Sequence, residues 1–334
     1  MSMGGFHGYN EGDYVRTVEG LFFAVKGSRH PDGMVVAYLR YIPDEAGDRV
    51  LDGVRYRRVS DPGETTEYLR LHHPRYLNHV PWLGLTLQTV PLDRVERAYD
   101  ARERLRQVLR EPGRGLEATV RRLVEALSSG SGVPEASFGV SGSLLIGLHR
   151  EASDVDLNVY GVEEGRRVYE ALRLLRSVGG WVQPYDAETV RGVLQERWGG
   201  AGVNLEAMAN LEARKVLHGR VDGRDYFIRL LRPEPGSAPS APVGEAVFRA
   251  RVTDSTYSIF TPCSYKLSSL ESIEPRGLGR VSEAVSYRGK FTEQAATGDR
   301  VEVRGTLERV GGPRGRLRVV LGGGRDYMVP LGLR

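Results

Sequence analysis

The segment from residue 138 to residue 159, FGVSGSLLIGLHREASDVDLNV, constrains the fold more than any other part of the chain. Short apolar runs of strand type stand at its two ends, and the pair Gly142-Ser143 closely follows the first run. Glycine lets a backbone turn sharply and approach another group closely. We therefore predict a strand, a tight bend, a short helical turn and a second strand, as in an α/β domain.

Two aspartates stand at the start of the second strand of this segment. Asp154 and Asp156 are two residues apart, and side chains with this spacing on a strand project from the same face. Two carboxylates on one face suit Mg²⁺, which takes a few acidic ligands together with phosphate oxygens. Ser143 places a hydroxyl beside the free amides of a helix start, where a triphosphate can bind. The spacing thus predicts a site for a divalent metal and a nucleotide.

Two or three domains are expected, because 334 residues are too many for one ordinary core. We predict an α+β multidomain protein. Residues 1–112 form a small N-terminal α+β domain with a linking helix, and residues 113–232 an α/β domain. Residues 233–244 form a linker rich in Pro, Ser and Gly, and residues 245–334 a small β-barrel. Short strands and glycine turns in the last region favour a barrel of the OB type.

The composition disfavours several other kinds of site. Cys263 is the one cysteine, which excludes an intrachain disulfide and a cysteine-based metal cluster. The seven histidines show no HExxH spacing, so a zinc enzyme is not expected. No run approaches the roughly 20 apolar residues of a membrane helix, and the N-terminus lacks a secretory signal. We therefore expect a cytoplasmic protein without a membrane partner.

Arginine dominates the basic residues, since only four of the 47 are lysine. Its planar fork matches phosphate and stacks on bases. A GC-rich genome or a hot habitat produces the same bias, so composition indicates phosphate-rich partners only weakly.

The segment 138–159 resembles the signature of the polymerase-β nucleotidyltransferase superfamily. The matching positions are Gly142, Ser143, Gly147, Ser153, Asp154 and Asp156. The resemblance implies that Asp154 and Asp156 hold two Mg²⁺ (or Mn²⁺) ions between the phosphates of an NTP and an attacking hydroxyl. It also implies in-line displacement at the α-phosphate with release of pyrophosphate. Gly142 and Ser143 would hold the terminal phosphates, and Ser153 belongs to the same predicted nucleotide site.

Two positions depart from this signature. The residue after Gly-Ser is often arginine, but here it is Leu144, and Arg150 or His149 is the candidate for the missing charge. The third carboxylate, which activates the attacking hydroxyl, has Asp225 as its best candidate, at the start of a later strand. Glu206 is a weaker one. If neither serves, the domain binds nucleotide without transferring it.

Candidate nucleic-acid contacts lie mainly in the C-terminal region. OB-type barrels stack bases on exposed aromatic residues in a positive groove. The candidates here are Tyr287, Arg288, Lys290, Phe291, Arg304, Arg316 and Arg318. The alternative is that the aromatic residues are barrel core and the arginines ordinary surface. In the N-terminal region, Arg55, Arg57 and Arg58 either touch phosphate or form a solvated strand edge.

These observations favour a Mg²⁺-dependent enzyme that transfers NMP from an NTP to an RNA (tRNA-like) or DNA end. Two alternatives remain open: NMP transfer to a small molecule or a protein side chain, and a catalytically inactive nucleotide- or RNA-binding protein. The N-terminal runs EGLFFAVK (19–26) and VVAYLRYIP (35–43) also resemble what precedes this module in uncharacterised predicted nucleotidyltransferases of archaea. The sequence leaves the nucleotide, the acceptor and the oligomeric state open.

Overall fold

The computed structural model describes residues 8–111, 113–234, 238–277 and 279–332. In these ranges the chain forms seven α-helices and three β-sheets, which confirms the predicted mixed α+β class. The helices are α1 (Pro62–His72), α2 (Ala101–Arg110), α3 (Leu116–Ser131), α4 (Gly142–Leu145), α5 (Val162–Val178), α6 (Ala187–Trp198) and α7 (Leu205–Arg214). The strands are β1 (Tyr14–Thr17), β2 (Phe22–Val25), β3 (Met34–Pro43), β4 (Arg49–Leu51), β5 (Val54–Arg58), β6 (Leu77–Val80), β7 (Leu85–Pro91), β8 (Val95–Tyr99), β9 (Phe138–Val140), β10 (Val155–Tyr160), β11 (Val182–Gln183), β12 (His218–Val221), β13 (Arg224–Leu231), β14 (Ser240–Tyr257), β15 (Phe260–Thr261), β16 (Cys263–Glu274), β17 (Val281–Ser286), β18 (Arg300–Val310), β19 (Arg316–Val320) and β20 (Tyr327–Pro330).

The first of two compact units contains the described residues of 1–81, 85–168 and 221–228. Its larger sheet has the strand order β4-β5-β3-β2-β1-β8, and β7 pairs with β3 and β6. The turn between β4 and β5 is Asp52-Gly53, where both residues have positive φ. This is the geometry of a tight two-residue hairpin, which explains why two such short strands pair.

One face of this large sheet packs against the segment that follows the glycine-serine bend. Tyr14, Tyr41 and Tyr56 are buried and share one apolar cluster with Leu145 and Leu148. Side chains alternate between the two faces of a strand, so the opposite side of the sheet carries a separate core. The N-terminal strands therefore form one wall of the region in which the sequence places the site.

Another sheet contains β9, β10 and β13 as neighbours, of which β9, β10 and the first residues of β13 belong to the first unit. Strands β9 and β10 are antiparallel, with Leu157 opposite Val140. Both residues are buried, which agrees with the apolar runs in the sequence.

Helix α2 begins later than the sequence pattern indicates. The pattern predicts a helix from Pro91 to about Arg110, but residues 95–99 form β8 and pair with β1. The side chain of Asp100 then caps the helix by accepting hydrogen bonds from the amides of Arg102 and Glu103, at 2.8 and 3.0 Å. The pairing of residues 95–99 with β1 therefore replaces the helix that the sequence pattern predicts before Asp100.

The second unit contains the described residues of 82–84, 169–220 and 229–334. Strands β14, β16, β17, β19 and β18 follow one another, and β18 also pairs with β14, which closes the order into a ring. The pairing of β17 with β19 is parallel, whereas the other pairings in this ring are antiparallel. The all-strand C-terminal region is thus confirmed for the described residues, apart from a helical turn at Gly289–Phe291.

Helices α6 and α7 belong to this second unit because they bury apolar side chains against its strands. Trp198 and Met208 share a cluster with Phe248 and Tyr265. A buried charge network lies beside it, formed by side chains of the helices, the segment after α7 and the barrel.

Glu212 and Lys215 are each 2% exposed and form an ion pair at 2.8 Å. The Nζ atom of Lys215 also donates to the carbonyl oxygen of Lys290 at 2.6 Å and to Oε1 of Gln294 at 3.0 Å. The indole N–H of Trp198 donates to Oε1 of Glu212 at 3.0 Å. The ammonium group therefore has three acceptors, although burial still lowers its pKa below the ordinary value.

These two units differ from the three predicted domains. Residues 169–220 pack with the barrel, although the sequence pattern places them in the unit 113–232. An alternation of helix and strand identifies the elements, but it does not say against which core a helix buries its apolar side. Pro112, at the predicted first boundary, lies outside the described residues.

The predicted linker at 233–244 is a linker only in part. Residues 235–237 lie outside the described ranges, and β14 already begins at Ser240. Ala241 is paired with Arg309 of β18. The register shifts between Pro242 and Gly244, and such a bulge accommodates a proline, which has no N–H for the ladder.

Candidate active site

The glycine-serine bend brings the backbone into contact with one of the two aspartates. Gly142 has φ +62°, and a Cβ atom added to it would lie 2.0 Å from Oδ2 of Asp156. The amide of Ser141 donates to the carbonyl oxygen of Asp156 at 2.9 Å. Only glycine tolerates both this φ and this approach, so the carboxylate of Asp156 lies directly against the bend.

The two aspartates lie together at the start of β10. Asp156 is the second residue of this strand and half-buried, while the exposed Asp154 precedes the strand rather than lying on it, as the sequence analysis expected. Val155 and Leu157 are fully buried, so the alternation leaves the acids on the more open side. The contact with Gly142 is made by Asp156, while Asp154 is linked to it through its place two residues earlier in the chain.

The surroundings of Asp154 disfavour the charged form of its carboxyl group. Partial burial and the like charge of Asp156 raise the pKa of Asp154 to about 6. The charge of Asp225 acts in the same direction, whereas Arg58 and Arg49 oppose it. The surrounding arginines therefore do not cancel the combined effect of burial and like charge on Asp154.

Asp225, the predicted third acid, acts on this site through its charge, which raises the pKa of Asp154. It is the second residue of β13, half-buried, and follows a turn in which Asp222 and Gly223 have positive φ. Even so, the described residues contain no group of three or more His, Cys, Asp and Glu side chains arranged to hold a metal. The site thus contains two neighbouring carboxylates, and the charge of a third acid acts on one of them.

The other predicted nucleotide contacts are placed differently. Ser143 is half-buried in α4, near the acidic pair. The hydroxyl of Ser153 is buried and accepts a hydrogen bond from the amide of Arg150 at 2.8 Å, so it shapes the loop before Asp154. The guanidinium of Arg150 pairs with Asp48 at 2.7 Å on the surface. Ser153 and Arg150 therefore each have a partner within the protein.

The sequence motifs did not place two arginines, Arg49 and Arg58, near the acidic pair. Arg49 was not a candidate, and Arg58 was grouped with Arg55 and Arg57 as a basic strand edge. Both come from the N-terminal sheet, more than 90 residues before the aspartates in the sequence. Only the strand register and the packing of this sheet place them there.

Most of the predicted nucleic-acid contacts in the C-terminal region are not available for stacking. Phe291 is fully buried and Lys290 is 7% exposed, with its Nζ 4.3 Å from the centre of the Trp198 ring. Arg318 is largely buried and pairs with Glu308 at 2.8 Å. These three predictions are corrected because alternating aromatic and basic residues here form a core turn and an internal ion pair.

The remaining four candidates lie nearer the surface but have protein partners. Tyr287 is 36% exposed, and its hydroxyl donates to Glu234. Arg288 donates to the carbonyl oxygen of Gly322 at 2.9 Å. Arg304 pairs with Glu245, and Arg316 pairs with Glu283. Acidic partners thus offset the two arginines on strands.

Comparison with known proteins gives little information about function. The chain is 26% identical over 332 residues to an uncharacterised protein of Methanocaldococcus jannaschii, and the match covers 94% of this chain and 95% of that protein. No family model matches the chain, and no solved structure matches it. None of the described helices is both long enough and apolar enough to span a bilayer.

Proposed function

We propose that this protein is a Mg²⁺-dependent nucleotidyltransferase of the polymerase-β type, which transfers NMP from an NTP to an acceptor hydroxyl. The observation that carries the proposal is the contact between the Asp156 carboxylate and Gly142, with Asp154 beside it. A bare backbone bend next to paired acids suits a ligand that is both phosphorylated and metal-bound. The polymerase-β assignment rests on the signature residues of the segment 138–159.

The donor set fits Mg²⁺ or Mn²⁺. Asp154 and Asp156 would hold the metal, because two carboxylates leave coordination positions that phosphate oxygens fill. When bound, the metal supplies positive charge that polarises the phosphate and lowers the pKa of the attacking hydroxyl. The raised pKa of Asp154 supports this fit, since a divalent ion relieves the same repulsion.

The residues of the chain position the reactants in this proposal. Gly142 allows the phosphates to approach, and the hydroxyl of Ser143 donates a hydrogen bond to a phosphate oxygen. The acceptor oxygen forms a bond to the α-phosphorus, the bond to the bridging oxygen breaks, and pyrophosphate leaves with its electron pair. Asp225 accepts the proton of the acceptor hydroxyl. Orientation and electrostatics supply the rate enhancement.

The acceptor is proposed to be an RNA (tRNA-like) or DNA end. The support is the barrel of the second unit, whose strand order β14-β16-β17-β19-β18 with parallel β17 and β19 suits the OB type. Because Phe291 and Lys290 are buried, contacts in such a complex would come from other barrel residues.

A second candidate function is nucleotide binding without transfer. It is favoured by the lack, among the described residues, of a third acid in a metal-holding arrangement with Asp154 and Asp156. In that case Asp225 serves to set the charge of the site.

Incubation of the purified protein with each radiolabelled NTP, Mg²⁺ and total cellular RNA tests the proposal. We expect label in RNA with the wild type and none with Asp154→Ala/Asp156→Ala. Label in protein or in a small molecule would transfer the proposal to those acceptors. Equal labelling by the double variant would refute the site, and no labelling of any acceptor with retained NTP binding would favour the second candidate.

A further inference from the structure

Two arginines of the N-terminal sheet share the face that meets the active-site segment. In the strand register, Arg58 of β5 lies opposite Tyr41 of β3, and Arg49 of β4 lies opposite Tyr56 of β5. Directly opposed residues project from the same face. Since Tyr41 and Tyr56 pack with Leu145 and Leu148, both arginines belong to the face on the side of α4 and the segment after it.

Arg49 is fixed in this position and has an unused donor. It is 8% exposed, and its Nη1 donates to the carbonyl oxygen of Leu148 at 2.6 Å. Its Nε is buried without a hydrogen-bond partner in the described part of the chain. A buried unsatisfied N–H costs about 1–3 kcal/mol, so such a group is expected where a ligand supplies the acceptor.

Arg58 is more exposed and is coupled to the acidic pair. Burial lowers its pKa, but Tyr41, Asp154 and Asp156 raise it to a net increase. The neighbouring Arg57 differs, because its guanidinium pairs with Asp44 at 3.0 Å on the other face of the strand.

The two residues nearest the site in sequence do not supply this charge. The guanidinium of Arg150 is engaged with Asp48. Burial lowers the pKa of His149 from its ordinary value, so its imidazole is neutral at pH 7. Leu144, directly after the bend, is buried and apolar.

We infer that Arg49 and Arg58 bind the terminal phosphates of the nucleotide and that the N-terminal sheet is therefore part of the substrate site. The guanidinium fork matches phosphate oxygens bidentately. In this arrangement the acids would hold the metal, and the arginines would neutralise the phosphates. This inference rests on the proposed function, but it concerns polyphosphate binding and can be measured without turnover.

The experiment measures binding of inorganic tripolyphosphate to the full chain by calorimetry at low salt, without metal. Arg58→Ala is the main variant, because an exposed side chain can be removed without unfolding. We expect it to weaken binding about tenfold, as for loss of one charge-assisted contact, and Arg58→Lys to restore part of the affinity. Arg55→Ala is the matched control, since it removes the same charge from the opposite face of β5 and should change binding less than twofold.

Equal affinity of Arg58→Ala and wild type would overturn the inference, as would an equal loss in Arg55→Ala, which would indicate a general field effect. The Arg49→Lys variant extends the test, with an expected weakening about as large as that of Arg58→Ala. If these losses occur but the wild type transfers no nucleotide, the inference stands and the proposed transferase activity fails. If nucleotide is transferred and the KM of Arg58→Ala for NTP is unchanged, the inference fails alone.

Discussion

Both units bring acidic and basic side chains together. They differ in whether the basic partners outweigh the effect of burial on the acids. In the second unit, burial alone would raise the pKa of Glu212, yet Lys215 and Arg197 lower it, and its oxygens are fully engaged. In the first unit, burial and like charge raise the pKa of Asp154 to about 6 beside Asp156. A completed network stabilises the fold, whereas an incomplete one costs stability. Incomplete networks are retained mainly where a ligand completes them.

The largest expected effect is the loss of NTP incorporation when the charge of Asp156 is removed. Asp156→Asn, which keeps the shape of the side chain, should reduce NTP incorporation by about 1,000-fold, as for other groups that act on the transition state. Filter-binding of labelled product measures this loss. The control is Glu151→Gln, which removes an exposed charge from the preceding loop and should leave incorporation unchanged. Activity of Asp156→Asn within tenfold of wild type would contradict the claim that the acids of the first unit serve a ligand.

Removing an acid from the completed network should affect stability instead. Glu212→Gln leaves the ammonium of Lys215 buried without its counter-charge, and we expect a loss of about 3–5 kcal/mol in the free energy of unfolding. Urea denaturation followed by tryptophan fluorescence reports this directly, because Trp82, Trp181 and Trp198 all lie in the second unit.

The matched control is Glu271→Gln, which breaks an exposed pair with Arg249 in the same unit and should leave the unfolding midpoint unchanged. A Glu212→Gln protein as stable as this control would show that the buried network is not structural.

The glycine at the bend gives an effect of intermediate size. Gly142→Ala places a Cβ against Oδ2 of Asp156 and must displace it, so incorporation should fall about 10- to 100-fold. The left-handed φ adds about 1–2 kcal/mol of destabilisation. Gly33→Ala has a similar positive φ but open space around the new Cβ. It should therefore lose stability and keep activity, and equal activity losses in both variants would contradict the contact.

The smallest effect concerns pH. The folded pKa of Asp154, about 6, lies above its ordinary value of 3.8, so ionisation of this group opposes folding above pH 6. Asp154→Asn should therefore be more stable than the metal-free wild type at pH 8, by less than about 1 kcal/mol because the residue is exposed. The difference should vanish as the pH falls towards 4. Thermal unfolding at both pH values measures it, and a less stable variant at pH 8 would contradict the repulsion.

The local part of the site was predictable from the sequence, whereas its surroundings were not. The spacing of two residues predicts that Asp154 and Asp156 lie on one side. Gly142 predicts a close approach of the backbone to another group. Both inferences need only residues that are near in sequence. Arg49 and Arg58 reach the site through the register of a distant sheet, which no local pattern contains.

Three predicted contacts of the C-terminal region, Phe291, Lys290 and Arg318, were wrong for a related reason. Phe291 and Lys290 alternate as surface-binding residues do, but a core turn gives the same pattern, and only burial separates the two cases. The grouping of 169–220 with the barrel likewise depends on which apolar faces meet.

The central claim, that Asp154 and Asp156 share a divalent ion with a triphosphate beside Gly142, is tested most directly by Mn²⁺ binding. Electron paramagnetic resonance can count bound Mn²⁺ with and without a non-hydrolysable NTP analogue. We predict saturable binding that strengthens with the analogue, persists in Glu151→Gln and disappears in Asp154→Asn/Asp156→Asn. Equal Mn²⁺ binding by the double variant and the wild type would contradict the claim.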